Sequence, residues 1–193
     1  DHSVKLWENL SEELNFNMMF SQRGVMNLAH NEHDIKEMKR RISANRLNGL
    51  DTQWVDTKQI KELVPIMNTE NLRYPVLGAA FQPRGGVARH DAVAWGYALR
   101  SNEMGVDIIQ NCEVKDIKTD NHKVEGVNTS KGFIRANKVA VVASGHTSVL
   151  AQTAGVRLPL QSRPLQALVS EPIKPVINTV VMSNAVHAYV SQS

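Results

Sequence analysis

Apolar residues at Val4, Leu6, Trp7, Leu10 and Leu14 recur at helical spacing and predict an amphipathic helix over residues 3–15. Residues 16–28 are mostly apolar and strand-tolerant, and the polar Ser21-Gln22-Arg23-Gly24 divides them into two short strands or one bent strand. Asn31 or Asp34 can cap the next helix, whose face Ile35, Met38, Ile42 and Leu47 opposes the charges Lys36, Lys39, Arg40 and Arg41. Asn48-Gly49 ends it. Trp54-Val55 is a brief extended piece, Asp56-Thr57-Lys58-Gln59 opens a short helix through Leu63, and Pro65 stops that helix. A loop over 66–77 leads to a strand at Gly78 to Gln82, then to Arg84-Gly85-Gly86 and a helix from His90 to Met104. Gly105 closes the helix, and Val106-Asp107-Ile108-Ile109 reads as a strand, the order of an α/β crossover.

The period then shortens. Val114 to Lys118, Lys123 to Thr129 and Gly132 to Ala136 form a meander with turns at Asp120-Asn121-His122 and Ser130-Lys131-Gly132. Val139 to Ala143 is continuously apolar and rich in β-branched residues, the pattern of a strand buried on both faces. It runs into Ser144-Gly145-His146 and a short helix from Val149 to Ala154. Strands at Leu165 to Ser170 and Val180 to Tyr189 follow, separated by a proline-bearing segment.

Composition changes this picture little. With 42% hydrophobic and 21% charged residues the chain reads as an ordinary globular protein. The net charge of +3 is spread among interspersed cations and anions, which argues against a nucleic-acid partner. No apolar run is long enough to cross a bilayer and no signal peptide is evident, so no membrane association is expected and the cytoplasm is the expected compartment. Cys112 is the only cysteine, which excludes an internal disulfide. The chain opens on Asp1 and stops inside a predicted strand, and a piece of a longer polypeptide is expected.

Two stretches could carry chemistry. In Arg84-Gly85-Gly86-Val87-Ala88-Arg89-His90-Asp91, paired glycines permit close backbone approach, two arginines supply fixed charge, and a histidine stands at a helix start. The same residues also suit a plain glycine turn with solvated arginines. In Ala143-Ser144-Gly145 an apolar run breaks before a helix, where α/β proteins bring backbone to a phosphate, although a packing glycine explains the pattern equally. No metal site is expected: His30 and His33 stand three apart, and their carboxylate neighbours are explained by a helix start. Neither GxGxxG nor GxxxxGK[ST] occurs, so the chain does not by itself cradle a dinucleotide in the usual way.

The order of these elements, with Arg23 to Leu28, Trp54 into Leu63-Val64-Pro65, Gly85 to His90, Gly105-Val106-Asp107 and Val142 to His146, resembles the D-amino-acid oxidase superfamily of flavoproteins. Within it, Ser21 to Asn31, Ala44-Asn45-Arg46-Leu47-Asn48-Gly49 and Arg84 to Gly96 resemble the β subunits of heterotetrameric sarcosine oxidases. The resemblance implies an α/β (α+β) fragment spanning 1–193. Residues 16–90 and 160–193 would belong mostly to a mixed substrate-side sheet with helices, and 91–155 mostly to part of a Rossmann-like FAD-binding domain.

It further implies noncovalent FAD and a covalent FMN on a histidine at the contact with the α subunit; the matching histidine is His90. Attachment needs an unprotonated imidazole nitrogen to add to the 8-methyl carbon of the isoalloxazine. Arg84 and Arg89 would pair with flavin anions, Gly85 and Gly86 would admit the ring, and the backbone of Val114 and of Ala143-Ser144-Gly145 would line the FAD. The implied reaction is oxidation of sarcosine to an imine. Electrons pass from FAD through FMN to oxygen, giving peroxide, and tetrahydrofolate takes the one-carbon unit. The residues that meet sarcosine are expected outside this stretch, and the piece alone is expected to be inactive. A sarcosine or dimethylglycine dehydrogenase, and a noncatalytic docking domain with Arg84 and Arg89 as its surface, are the alternatives.

Overall fold

In the computed structural model, which describes residues 2–192, local signals account for most of the elements. They run α1 (His2–Glu13), β1 (Ser21–Gln22), β2 (Val25–Ala29), α2 (Glu32–Leu47), β3 (Gln53–Val55), α3 (Thr57–Leu63), β4 (Gly78–Gln82), β5 (Gly86–Val87) and α4 (His90–Glu103). Then come β6 (Val114–Asp120), β7 (Lys123–Thr129), β8 (Gly132–Arg135), a single 3₁₀ turn at Ser144–His146, α5 (Thr147–Thr153), β9 (Val180–Ser183) and β10 (Ala188–Val190). Asn31 starts α2 by accepting the Asp34 amide at 2.9 Å. Asp56 starts α3 with a reciprocal capping box to Gln59. Gly49 and Gly105 follow α2 and α4 with φ of 81° and 88°, the left-handed exit that glycine adopts without a Cβ clash.

Contacts divide the chain into two units. One comprises residues up to Val106 together with those from Pro172 onward, and the other is Asp107–Glu171.

The first unit is built on a five-stranded mixed sheet in the order β10-β9-β2-β4-β3, in which β2 and β9 run parallel and the other pairs antiparallel. Register places Met26 opposite Phe81 and Leu28 opposite Ala79, with Val55 also opposite Ala79. These side chains share one face and close over Ile60 of α3, over Val64 at its C-terminal cap and over Val76. Ile60 is fully buried there. Ile60→Ala is expected to lower stability by about 2–5 kcal/mol through lost burial and the cavity left behind, read as a shift of the urea midpoint of the full-length protein.

A second apolar cluster joins Leu10 and Leu14 of α1 to Met18, with Trp7, Phe16, Phe20 and Val93 packed around it. It seats α4 through Val93. Gly96 permits the close approach, since an added Cβ would lie 2.3 Å from Met18 Cε.

The second unit is the antiparallel meander β6-β7-β8, with α5 against β6. The Thr153 hydroxyl accepts the Ile117 amide at 2.9 Å.

Three predicted strands are corrected. Val106–Ile109, Val139–Ala143 and Leu165–Ser170 pair with no strand among the described residues. Val142 is 92% and Leu168 99% exposed, so the expectation of a strand buried on both faces fails for Val139–Ala143. Apolar content records strand tendency, but a ladder also needs a neighbouring edge. The single strand expected over Val180 to Tyr189 is instead two, turning at 184–187. No described helix is long and apolar enough to cross a membrane.

Candidate active site

The segment leading to His90 is held from both ends. On its far side, α4 rests on the α1 cluster through Val93 and Gly96. On its near side, β5 pairs with β1, setting Ser21 opposite Val87 and Gln22 opposite Gly86. The glycines serve this pairing. A Cβ on Gly86 would lie 2.1 Å from the Ser21 carbonyl oxygen, and one on Gly85 2.7 Å from Val25 Cγ2. Gly85 N–H also donates to the Gln82 carbonyl, and its own carbonyl accepts the Gly24 amide at 2.8 Å.

Arg84 reaches back to α1. Its Nε and Nη2 donate to the two carboxylate oxygens of Glu8 at 2.9 and 2.6 Å, a bidentate pair whose side chains are 33% and 27% exposed. Gln22 completes the knot, with Nε2 donating to Glu8 Oε1 at 2.7 Å and to the Arg84 carbonyl at 2.9 Å. The hydrogen bonds from Arg84, then those from Gln22, hold the Glu8 carboxyl below the usual glutamate range. A depressed carboxyl favours the fold above its unfolded value, and that contribution is lost as pH falls through the depressed folded value.

Arg89 is the residue before α4 and pairs with Asp91 at 2.9 Å, while Asp91 Oδ1 accepts the Ala92 amide. Asp91 is pulled below the usual aspartate range by Arg89 first and the Ala92 amide second. His90, the first residue of α4, is exposed. The structure therefore presents an accessible imidazole on a doubly braced helix start, beside two arginines that already hold carboxylate partners.

The remaining predicted residues lie in the second unit. Val114 opens β6 opposite Thr129, next to a register shift before Asp116. Ala143 precedes the 3₁₀ turn, its carbonyl accepting the His146 amide at 2.9 Å, and Ser144 takes φ +46°. Gly145 has no left-handed backbone, and an added Cβ would meet only Ser162, at 3.5 Å. Neither backbone conformation nor packing requires a glycine there.

His30 is a strut. Its Nδ1 lies 3.0 Å from the Pro75 carbonyl and its Nε2 2.8 Å from Ser183 Oγ, so in the neutral ring Nδ1–H donates to Pro75 and Ser183 donates to Nε2. The ring ties the loop before β4 to β9 at the edge of an apolar cavity of about 360 Å³ lined by Leu28, Met67, Leu72 and Val76. Sequence reasoning missed Glu8 and Gln22. They stand 76 and 62 residues from Arg84, and no local pattern links them to it.

The family model described as "FAD dependent oxidoreductase" matches residues 1–193. The chain belongs to this family. Among its relatives, a sarcosine oxidase subunit beta from Arthrobacter sp is 57% identical over 194 residues, covering 100% of this chain and 48% of the relative. One from Rhodobacter capsulatus is 54% identical, covering 97% of this chain and 45% of the relative. The solved structure of an L-proline dehydrogenase from P. horikoshii superposes with a TM-score of 0.84 at 28% identity, covering 100% of this chain and 51% of that one. The chain thus spans about half the length of the relatives it matches.

Proposed function

We propose that the chain is the central part of the β subunit of a flavin-dependent sarcosine oxidase, with noncovalent FAD and with FMN tethered through His90 at the contact with an α subunit. Identity of 57% to a sarcosine oxidase subunit beta across the whole chain carries the reading. The geometry is compatible with it. An imidazole can bond to a flavin only where it is accessible and held, and His90 is exposed on a helix start fixed from both sides. Gly145, unexplained by packing or backbone angle, suits a turn whose backbone approaches the FAD.

When bound, the flavins supply the electron acceptors that turn the secondary amine of sarcosine into an imine and pass the electron pair to oxygen, giving peroxide. Tetrahydrofolate receives the one-carbon unit. This chain's own residues hold the tether, through His90, and form backbone walls at Val114 and Ala143-Ser144-Gly145. Arg84 and Arg89, each paired with a carboxylate, flank the tether.

Acid denaturation of the full-length assembled protein tests the reading directly: a yellow chromophore is expected to precipitate with the chain, and colourless protein with all flavin in the supernatant would sink it. The FAD wall has its own test. Gly145→Ala is expected to change stability by no more than about 0.5 kcal/mol, because space for the methyl exists. FAD retention in the full-length protein should fall, as measured by flavin content after dialysis; unchanged retention argues against backbone approach at this turn.

A further inference from the structure

We infer that Glu8 and Gln22 are positioning residues for His90, holding the Arg84–Arg89 segment in the one register that presents the imidazole to a flavin. Because this rests on His90 being the tether, it deepens that reading and falls with it.

Gly85 and Gly86 give the segment little intrinsic stiffness, and β5 is two residues long. A ladder that short is weak alone. Beside the local bonds of Gly85 and of the Arg84 amide to Gln82 and Gly24, a long-range brace comes from α1. Glu8 grips the Nε–Nη2 edge of the Arg84 guanidinium with both carboxylate oxygens, and Gln22 fastens the same carboxylate to the Arg84 carbonyl. Side chain and backbone of Arg84 are therefore fixed by one three-residue knot. A bidentate fork sets both distance and angle, which a single contact would not.

Four residues separate Arg84 from Arg89, and on the other side of His90 the apolar cluster seats α4 through Val93. One anchor is Glu8 of α1, and the other is the cluster in which Leu10 and Leu14 pack with Met18, the residue that Gly96 of α4 faces. The two anchors thus work as a jig across which the histidine is stretched. Misplacement of a reacting group by about 1 Å can cost on the order of 100-fold in rate, so a loosened segment should bond slowly even if the fold survives.

Bond formation joins an imidazole nitrogen to the 8-methyl carbon. One hydrogen leaves each partner as a proton, the electron pair passes to the flavin, and oxygen removes the pair as peroxide. Neither Glu8 nor Gln22 takes part in these transfers. Their effect should therefore fall on the rate of attachment and not on its chemistry.

The experiment uses the full-length assembled protein, produced flavin-poor and then incubated with FMN and FAD in air, with acid-stable flavin per chain followed over time. Glu8→Ala is expected to slow attachment at least about tenfold, and Gln22→Ala to slow it less, with FAD content and circular dichroism unchanged. Glu8→Asp should recover most of the rate, which general loss of stability would not allow. Attachment at the wild-type rate in both alanine variants overturns the inference while leaving the tether intact. Acid-stable flavin in His90→Ala overturns the tether and the inference together.

Discussion

His90→Ala is expected to leave the assembled full-length protein without any acid-stable flavin while its noncovalent FAD remains. The two pools separate because the residues proposed for them lie apart in the sequence: His90 starts α4 in the first unit, whereas Val114 and Ala143-Ser144-Gly145 lie in the second. The imidazole is exposed, so its removal opens no cavity in either core cluster. Destabilisation should stay within about 0.5 kcal/mol, as for exposed positions in general. Acid precipitation followed by fluorescence of the denatured chain reads the covalent pool, and the supernatant reads FAD. A variant that keeps its covalent flavin would remove His90 from the site.

Gly86→Ala should have the larger structural effect. The new methyl would sit 2.1 Å from the Ser21 carbonyl oxygen and 2.9 Å from Gln22 Cα, and both obstacles are backbone. No rotamer relieves such a clash. The β1–β5 pairing must open, at a cost of about 1–3 kcal/mol. Amides near residues 85–89 are then expected to exchange roughly 10–100-fold faster, since each 1.4 kcal/mol is a factor of ten in the opening equilibrium. Hydrogen exchange with mass spectrometry checks this, and protection equal to wild type would show that the pairing is dispensable. Gly145→Ala forms the contrast: there the methyl has room, so a lost flavin could not be blamed on a broken fold.

Legibility in the sequence followed the range of the interaction responsible. Asn31, Asp56 and Gly105 act within one helical turn, and each marked its boundary correctly or within a residue or two. Strand β4 was equally plain, because a short apolar run flanked by glycine and proline has few other uses. The runs at Val139–Ala143 and Leu165–Ser170 carried the same kind of signal and formed no ladder among the described residues. Their composition could not report whether an edge was available. At the site, the glycines and His90 stand out locally, yet the reason for Gly85 and Gly86 comes from Val25 and Ser21, at least 60 positions away. Glu8 was one acidic residue among several on α1 until the fold set it against Arg84.

The parallel pairing of β2 with β9 bears on how the chain assembles. Val25 lies beside Val180 and Leu28 beside Ser183, and the Thr179 hydroxyl donates to the Arg23 carbonyl across 156 positions. During synthesis β2 can pair with β4 early, but its other edge stays open until residue 183 leaves the ribosome. The meander of the second unit needs only contacts from its own stretch and can form in the interval. The central strand therefore keeps one open edge across the whole synthesis of the second unit, and only the outer β10 joins the sheet after it is satisfied.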